Sequence, residues 1–179
     1  MSGRKLRQLR QLILGILVLA ATPLMATTVM RMELPALVKA SDSIVQGHGE
    51  AIETRFESDK MVYTYISVGV DDPLKGERRR SLLVRQMGGK IGAMTMWIAG
   101  APQFKEGDQV IVFLRNRRDG TFDVVGLNQG KYDIVDDFAV ANVSGVSIMD
   151  PKTGTISDEG FVDKAPLAAF KAKIRELAQ

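Results

Sequence analysis

Cysteine is absent from this chain of 179 residues, and histidine occurs once, as His48. Without cysteine the protein can form no disulfide bond and can carry no lipid on a cysteine side chain. Zinc sites in proteins draw mainly on cysteine and histidine, so a zinc site is not expected either. The fold must therefore be stabilised by its apolar core, and the sequence predicts no cofactor.

Recognisable catalytic motifs are also missing. A Ser-His-Asp device would have to use His48, and the G-x-S-x-G pattern of serine hydrolases does not occur. His48 lies between Gly47 and Gly49 inside a predicted strand, which favours a strand or β-bulge residue over a general base. The sequence thus predicts a protein that is not an enzyme, with a hydrolase of unfamiliar type around His48 as an alternative.

Acidic pairs that could bind calcium are few. Asp71-Asp72 and Asp136-Asp137 are the candidates, but neither belongs to the alternating Asp/Asn/Gly loop that calcium sites use. We expect these carboxylates to be solvated beside turns.

The first 26 residues contain no acidic side chain. Arg4, Lys5, Arg7 and Arg10 are followed by the apolar run of residues 12–21 and then by small residues that end at Ala26. This order is typical of a secretory signal peptide, and the run is shorter than the roughly 20 residues that span a bilayer. We expect cleavage after Ala26 and a periplasmic or secreted protein without a stable membrane span; an uncleaved N-terminal anchor is the alternative.

Removal of the leader changes the charge. The whole chain has 24 basic and 21 acidic residues, and residues 1–26 contain four of the basic ones. The remaining part therefore has 20 basic and 21 acidic residues, a net charge of −1. Because the high isoelectric point of the whole chain comes largely from residues 1–26, it is no argument for nucleic-acid binding. We expect residues 27–179 to form a single domain, since about 150 residues suffice for a sizeable core.

Turn residues recur about every dozen positions, which favours an all-β barrel or sandwich. In residues 61–70 the apolar Val62, Ile66 and Val68 alternate with Tyr63 and Tyr65, the pattern of a half-buried strand. Residues 109–115 are apolar on both faces, so this strand is expected near the middle of the sheet. Further strands are predicted at residues 44–56, 81–87, 93–98, 121–127, 131–135 and 138–142. Tight hairpins are predicted at residues 118–120 and 128–130.

Two helices are predicted, one at each end of the barrel sequence. Residues 33–40 carry a proline in the first turn, where proline is tolerated. In residues 166–178, Leu167, Phe170, Ile174 and Leu177 repeat at helical spacing. We interpret this C-terminal helix as a lid docked on the barrel; a frayed amphipathic tail is the alternative.

Methionine suggests one metal hypothesis. Met94 and Met96 share a face if they lie on a strand, and Met30 and Met32 repeat the spacing. Thioether ligands select Cu(I), and His48 would complete such a site. Gaps in a core are the more common place for methionine, so a periplasmic Cu(I)-binding protein is an alternative.

Three segments together resemble an uncharacterised group of small exported bacterial β-domains over roughly residues 34–135. They are residues 37–47, residues 63–89 with Leu74-Lys75-Gly76 and Gly88-Gly89, and residues 104–132 with Gln129-Gly130-Lys131-Tyr132. No established activity comes with this resemblance. Some members of the group precede matrixin-like metalloprotease domains, which implies an accessory role toward a secreted metalloprotease.

The order of these segments is also distantly similar to the netrin-like OB barrel of the tissue inhibitors of metalloproteinases. The resemblance implies a single OB-like (netrin-like) antiparallel barrel, to which the sequence adds the short N-terminal helix and the C-terminal amphipathic helix predicted above. Those inhibitors act through an N-terminal cysteine, which this chain lacks, so their inhibitory function does not carry over.

These observations favour an exported, non-catalytic module that binds a protein or a cell-envelope component. Loops on a rigid barrel often carry binding residues. The predicted contact surface consists of two glycine-containing turns and the glutamines near them: Gln86, Gly88, Gly89, Asn128, Gln129 and Gly130. Glutamines that merely tie turns are the alternative interpretation.

Overall fold

The structure is a computed structural model that describes residues 27–58 and 60–179, so the predicted leader lies outside the described residues. Its elements, in chain order, are β1 (Thr28–Met30), α1 (Leu34–Ala40), β2 (Ser43–Phe56), β3 (Val62–Lys75), β4 (Ser81–Met87), β5 (Gly89–Ile91), β6 (Met94–Met96), β7 (Gln109–Asn116), β8 (Phe122–Val124), a 3-10 helix (Leu127–Gly130), β9 (Lys131–Val135), β10 (Phe138–Val143), β11 (Ser147–Met149), β12 (Ile156–Ser157), β13 (Phe161–Pro166) and α2 (Leu167–Leu177).

Five strands close into a barrel. β2, β3 and β4 form an antiparallel meander, and β7 pairs with the other edge of β2. β8 pairs antiparallel with β7 and makes one parallel contact with β4, between Phe122 and Val84, which closes the ring. This is the connectivity of an OB barrel. The predicted mainly β, OB-like barrel with two short helices is confirmed.

The side chains of the strands point alternately into and out of the barrel, and the inward ones fill its interior. Ile66 and Val68 of β3 point inward with less than 2% of their surface exposed, while Tyr63 and Tyr65 face outward. Arginine side chains cover these tyrosines: the guanidinium of Arg85 lies 3.7 Å from the ring centre of Tyr63. The interior cluster contains Val45, Ile66, Val68, Leu82, Val84, Val110, Val112, Leu114 and Phe122.

A second layer packs against the outside of the barrel. β9, β10 and β13 extend the sheet from β7, and both helices cover that extension. Phe170 of α2 packs on Tyr132 of β9, with ring centres 4.5 Å apart, and on Phe113 of β7 at 6.4 Å. The predicted docking of the C-terminal helix is confirmed. The helix begins at Leu167 because Pro166 is still paired in β13.

The predicted hairpin at residues 128–130 is wrong. β8 and β9 do not pair with each other in the structure; both pair with the same edge of β7, one after the other. Leu114 is opposite Val124, and Val112, two residues away, is opposite Lys131. The six residues between Val124 and Lys131 leave the edge of β7, form the 3-10 helix and then return to the same edge. The turn at residues 118–120 is a hairpin as predicted, since Asn116 pairs with Phe122.

Several element bounds also differ from the prediction. The strand predicted at residues 93–98 is only Met94–Met96, and it pairs with β5 alone. The strand predicted at residues 121–127 ends at Val124, where the 3-10 excursion begins. β3 continues to Lys75, five residues beyond the predicted end. The strands that the sequence did not indicate are short or at an edge: β1, β5, β11, β12 and β13.

A candidate binding groove at the barrel mouth

One end of the barrel is open because its strands have unequal lengths. β7 pairs with β2 only as far as His48, while β2 continues to Phe56 along β3. The inward side chains Ile52, Thr64 and Gln86 therefore lie beyond the end of β7, and they border a cavity of about 260 Å³. The mouths of β-barrels are common places for ligand sites.

The chain after β4 folds back over this opening. Gly88, with φ of 93°, donates its N–H to the carbonyl of Val62, and its own carbonyl accepts the hydroxyl of Thr64 at 2.7 Å. The turn directs the chain into the β5–β6 hairpin, in which Gly89 is opposite Met96. The inward Thr64 thus fixes one wall of the opening.

Trp97, the only tryptophan of the chain, follows this hairpin and is 69% exposed. It borders the first cavity and also a second one of about 280 Å³. A third cavity of about 330 Å³ shares Gln103, Lys131 and Asp133 with the second. We call these three adjoining cavities, with Trp97 at their rim, the mouth groove.

Two amide oxygens beside the mouth groove have no hydrogen-bond partner among the described residues. They are Oε1 of Gln86, at the first cavity, and Oδ1 of Asn128, at the second; both atoms are buried. The Nδ2 of Asn128 donates to the carbonyl of Ser144 at 3.0 Å, which fixes the orientation of this amide. A buried acceptor without a partner costs about 1–3 kcal/mol, so a ligand donor that met either oxygen after a shift of its side chain would relieve that cost.

The charged groups within the second cavity neutralise each other. Nζ of Lys131 lies 2.5 Å from a carboxylate oxygen of Asp133 and 5.2 Å from the ring centre of Phe104. The Lys131 side chain is only 7% exposed. The pair therefore gives this part of the groove polarity without net charge.

The predicted contact surface is brought together only in part. Gln86, Gly88 and Gly89 line the first cavity and Asn128 lines the second, with Trp97 between them. Gln129 and Gly130 are buried elsewhere. The amide of Gln129 accepts from the N–H of Met32 and donates to the carbonyl of Met30, so it ties a segment, as the alternative interpretation had it.

Sequence reasoning missed the central member of the groove. Trp97 and Gln103 lie in a stretch that contains Gly100 and Pro102 and forms no strand after Met96. The signal in the sequence that could have indicated this site is a single large aromatic residue, Trp97, among turn-forming residues.

The three proposed copper ligands are not brought together. Gly89, opposite Met96, packs against Thr54 of β2. His48 lies six residues earlier on β2, roughly 20 Å along the strand at 3.3 Å per residue. Met94 is 46% exposed, so it does not fill a core gap either.

His48 lies outside the mouth groove, on the outer surface of β2. Its Nδ1 is 3.1 Å from a carboxylate oxygen of Asp71, and register shifts of β2 against β3 flank it on both sides, as the bulge interpretation predicts. Its Nε2 and the carboxylate of Glu50 lie over Gly69, which has no side chain to displace them. Ser67 donates to Glu50 at 2.8 Å instead of to His48. The arrangement is therefore not that of a Ser-His-Asp triad.

Among residues 27–58 and 60–179, no three acidic or histidine side chains are arranged to hold a metal ion. Asp72 is bound by Lys171 and Arg175 of α2. Asp136 and Asp137 form the turn between β9 and β10 with positive φ angles.

Comparison with known proteins gives no assignment: no family model, no curated protein and no solved structure matches the chain. In the part of the chain that the structure describes, neither helix is long and apolar enough to cross a bilayer.

Proposed function

We propose that this protein is an exported, non-catalytic binding module that holds its ligand in the mouth groove. The observation that carries the proposal is the exposed Trp97 between two buried amide oxygens, of Gln86 and Asn128, that lack partners. An exposed aromatic ring beside a cavity with a few polar groups is the usual composition of a ligand site.

The chemistry of the groove supports binding rather than catalysis. Its lining residues include neither histidine nor cysteine. One carboxylate oxygen of Asp133 binds Lys131, and one of Asp108 accepts the N–H of Lys105 at 3.1 Å, which favours a structural role for both aspartates.

The leader-like sequence of residues 1–26 supports a place of action in the periplasm or outside the cell. The partner is then a protein or another component of the cell envelope. The resemblance to domains that precede metalloproteases supports a secreted metalloprotease as one such protein, and co-purification of the two from the envelope fraction would test this.

Site-specific photocrosslinking tests the proposal directly. A photoreactive phenylalanine analogue is placed at Trp97 and, as a control, at Lys173, which is exposed on α2 and outside the groove. After irradiation in the envelope fraction, we expect adducts from position 97 only. Equal labelling from both positions would contradict the proposal.

A variant pair measures how much Trp97 contributes. Trp97→Ala and Leu83→Ala each remove an exposed apolar side chain, and Leu83, 42% exposed, lies on the outer face of β4. Central aromatic residues of binding sites often contribute 2 kcal/mol or more, so we expect capture of the envelope ligand to fall at least about tenfold in Trp97→Ala only. Unchanged unfolding midpoints would show that both variants are folded.

A further inference from the structure

The shape and chemistry of the mouth groove also identify a ligand class, an inference that rests on the proposed function. We propose that the mouth groove binds a neutral, extended oligosaccharide, one ring of which stacks on Trp97. Four features of the groove support this class: the size of its cavities, its charge, its free acceptors and its exposed aromatic ring.

The size of the cavities favours a chain of small units. Each of the three, at about 260, 280 and 330 Å³, is at or below the lower end of the range for drug-sized ligands. They adjoin one another through shared walls at Trp97 and Gln103. A ligand that fills them is therefore linear and has one small unit for each cavity.

The charge of the groove favours a neutral ligand. Its polar lining consists mainly of amides and hydroxyls: Thr64, Gln86, Thr95, Gln103, Asn128, Asn142 and Ser144. Lys131 is neutralised by Asp133, the carboxylate of Asp108 partly offsets Lys105 in the third cavity, and Lys90 at the first cavity leaves the lining with one net positive charge. A polyanion such as a nucleic acid requires several unpaired cationic side chains, whereas this lining has one in excess.

The free acceptors favour a ligand that carries hydroxyl donors. Gln86 and Asn128 line different cavities, and their unpartnered oxygens have almost no exposed surface, so a ligand reaches them only when its binding shifts these side chains. One ligand must then offer donors at two separated points. Sugar rings have hydroxyls all around their edge, and a hydroxyl that donates to an amide oxygen can also accept from a neighbouring amide or Thr95.

The exposed ring of Trp97 completes the set. The face of an aromatic ring is electron-rich, and the C–H groups on the flat face of a pyranose carry partial positive charge. Stacking therefore leaves the hydroxyls at the ring edge free to reach the amides on both sides. Apolar ligands would use Trp97 but would leave both amide oxygens without partners.

Titration of the purified protein with defined oligosaccharides tests this inference. The probes are the monomer, dimer and tetramer of N-acetylglucosamine and of glucose, with a sulfated tetrasaccharide and a neutral tetrapeptide for comparison. Because Trp97 is the only tryptophan, its fluorescence reports on the groove alone. We expect a saturable blue shift with a neutral tetramer and an affinity that rises with chain length. The more effective of the two series identifies the sugar.

Variants then test the named contacts by calorimetry. Gln86→Leu and Asn128→Leu each remove one free acceptor, and each should weaken tetramer binding about tenfold, the effect of one hydrogen bond. Trp97→Phe should retain more affinity than Trp97→Ala because it keeps an aromatic face. Leu83→Ala is the control and should bind like the parent protein.

The outcomes separate this inference from the proposed function. If no neutral oligosaccharide binds while position 97 still crosslinks an envelope component, the sugar class is wrong and the binding module stands. Binding of the tetrapeptide or the sulfated sugar in preference to the neutral tetramers would also overturn the sugar proposal. If neither probes nor envelope components reach Trp97, both proposals fail.

Discussion

At the scale of single residues, Gln129 shows how a buried amide can organise a segment of chain. Its side chain is 2% exposed, and its two polar atoms pair with backbone groups on either side of Arg31, at 2.8 and 3.0 Å. The segment from β1 to α1 is thereby fastened to the 3-10 helix. The amide supplies the partners that a β-ladder would otherwise provide.

Replacing Gln129 by leucine should therefore destabilise the protein. The change leaves the N–H of Met32 and the carbonyl of Met30 without these partners, and we expect a loss of about 1–3 kcal/mol in the free energy of unfolding. Urea denaturation measures it. Gln103→Leu is the matched control; Gln103 is exposed, and we expect a change within about 0.5 kcal/mol. Equal effects of the two variants would show that the tie contributes nothing.

Gln86 and Gln129 also show what the sequence could not resolve. Both glutamines lie near glycine-containing turns, and the chain gives them the same local pattern. Gln86 lies at the open end of the barrel with a buried oxygen that has no partner among the described residues, and Gln129 is enclosed by the N-terminal segment. They differ because Gln129 contacts Met30 and Met32, about 100 residues away in the sequence. Local sequence patterns carry no information about such distant contacts.

At the scale of elements, the run from Phe122 to Val135 shows why a sound local rule gave a wrong hairpin. The turn residues at 128–130 were recognised correctly as a break between two strands. A break does not say whether the chain reverses or continues, and here it continues along the same edge of β7. Gly130 is required for the return, since a Cβ there would lie 2.0 Å from the carbonyl oxygen of Val125.

Helix α2 is fastened to the barrel by charge as well as by its apolar face. Asp72 of β3 lies 2.6 Å from Nζ of Lys171 and 2.7 Å from the guanidinium of Arg175. Burial alone would raise the pKa of Asp72, but the hydrogen bonds and charges of these two cations outweigh it and hold the pKa below its ordinary value. Helical spacing in the sequence predicts which face of α2 is docked. It does not predict that Asp72 of β3 is the charged partner of this helix.

Asp72→Asn should consequently destabilise the protein in a pH-dependent way. Because the pKa is lowered by folding, the contribution of Asp72 is full above the ordinary value near 4 and is lost as the pH falls through the lower folded pKa. We expect a deficit of about 1 kcal/mol at pH 7 that disappears in acid. Urea unfolding of both proteins across this pH range measures the difference.

The control for this experiment lies on the same helix. Glu176→Gln removes an exposed pair with Lys173 on the solvent side of α2, and a change within about 0.5 kcal/mol is expected. A deficit of Asp72→Asn that persists unchanged at low pH would contradict the role of the ionised carboxylate.

At the scale of the whole molecule, the barrel and its outer layer share their strands. In β7, Val110, Val112 and Leu114 belong to the barrel interior, whereas Ile111 and Phe113 belong to the core beneath the helices. The sequence predicted this central position because both faces of the strand are apolar. It could not predict closure, which depends on the single parallel contact between β4 and β8.

Shared strands imply that the two cores unfold together, and Phe170→Ala tests this. Phe170 is 5% exposed and packs on Tyr132 and Phe113, so its truncation should cost about 3–5 kcal/mol. Unfolding is followed by helical circular dichroism, which reports mainly on α2, the longer of the two helices, and by the fluorescence of Trp97, which reports on the barrel mouth. Because Phe113 lies on a strand of the barrel wall, we expect both midpoints to fall by the same amount.

Phe56→Ala, at a side chain that is 53% exposed, is the control and should change little. A helical signal that is lost while the midpoint of Trp97 stays unchanged would show instead that the barrel folds independently of its outer layer.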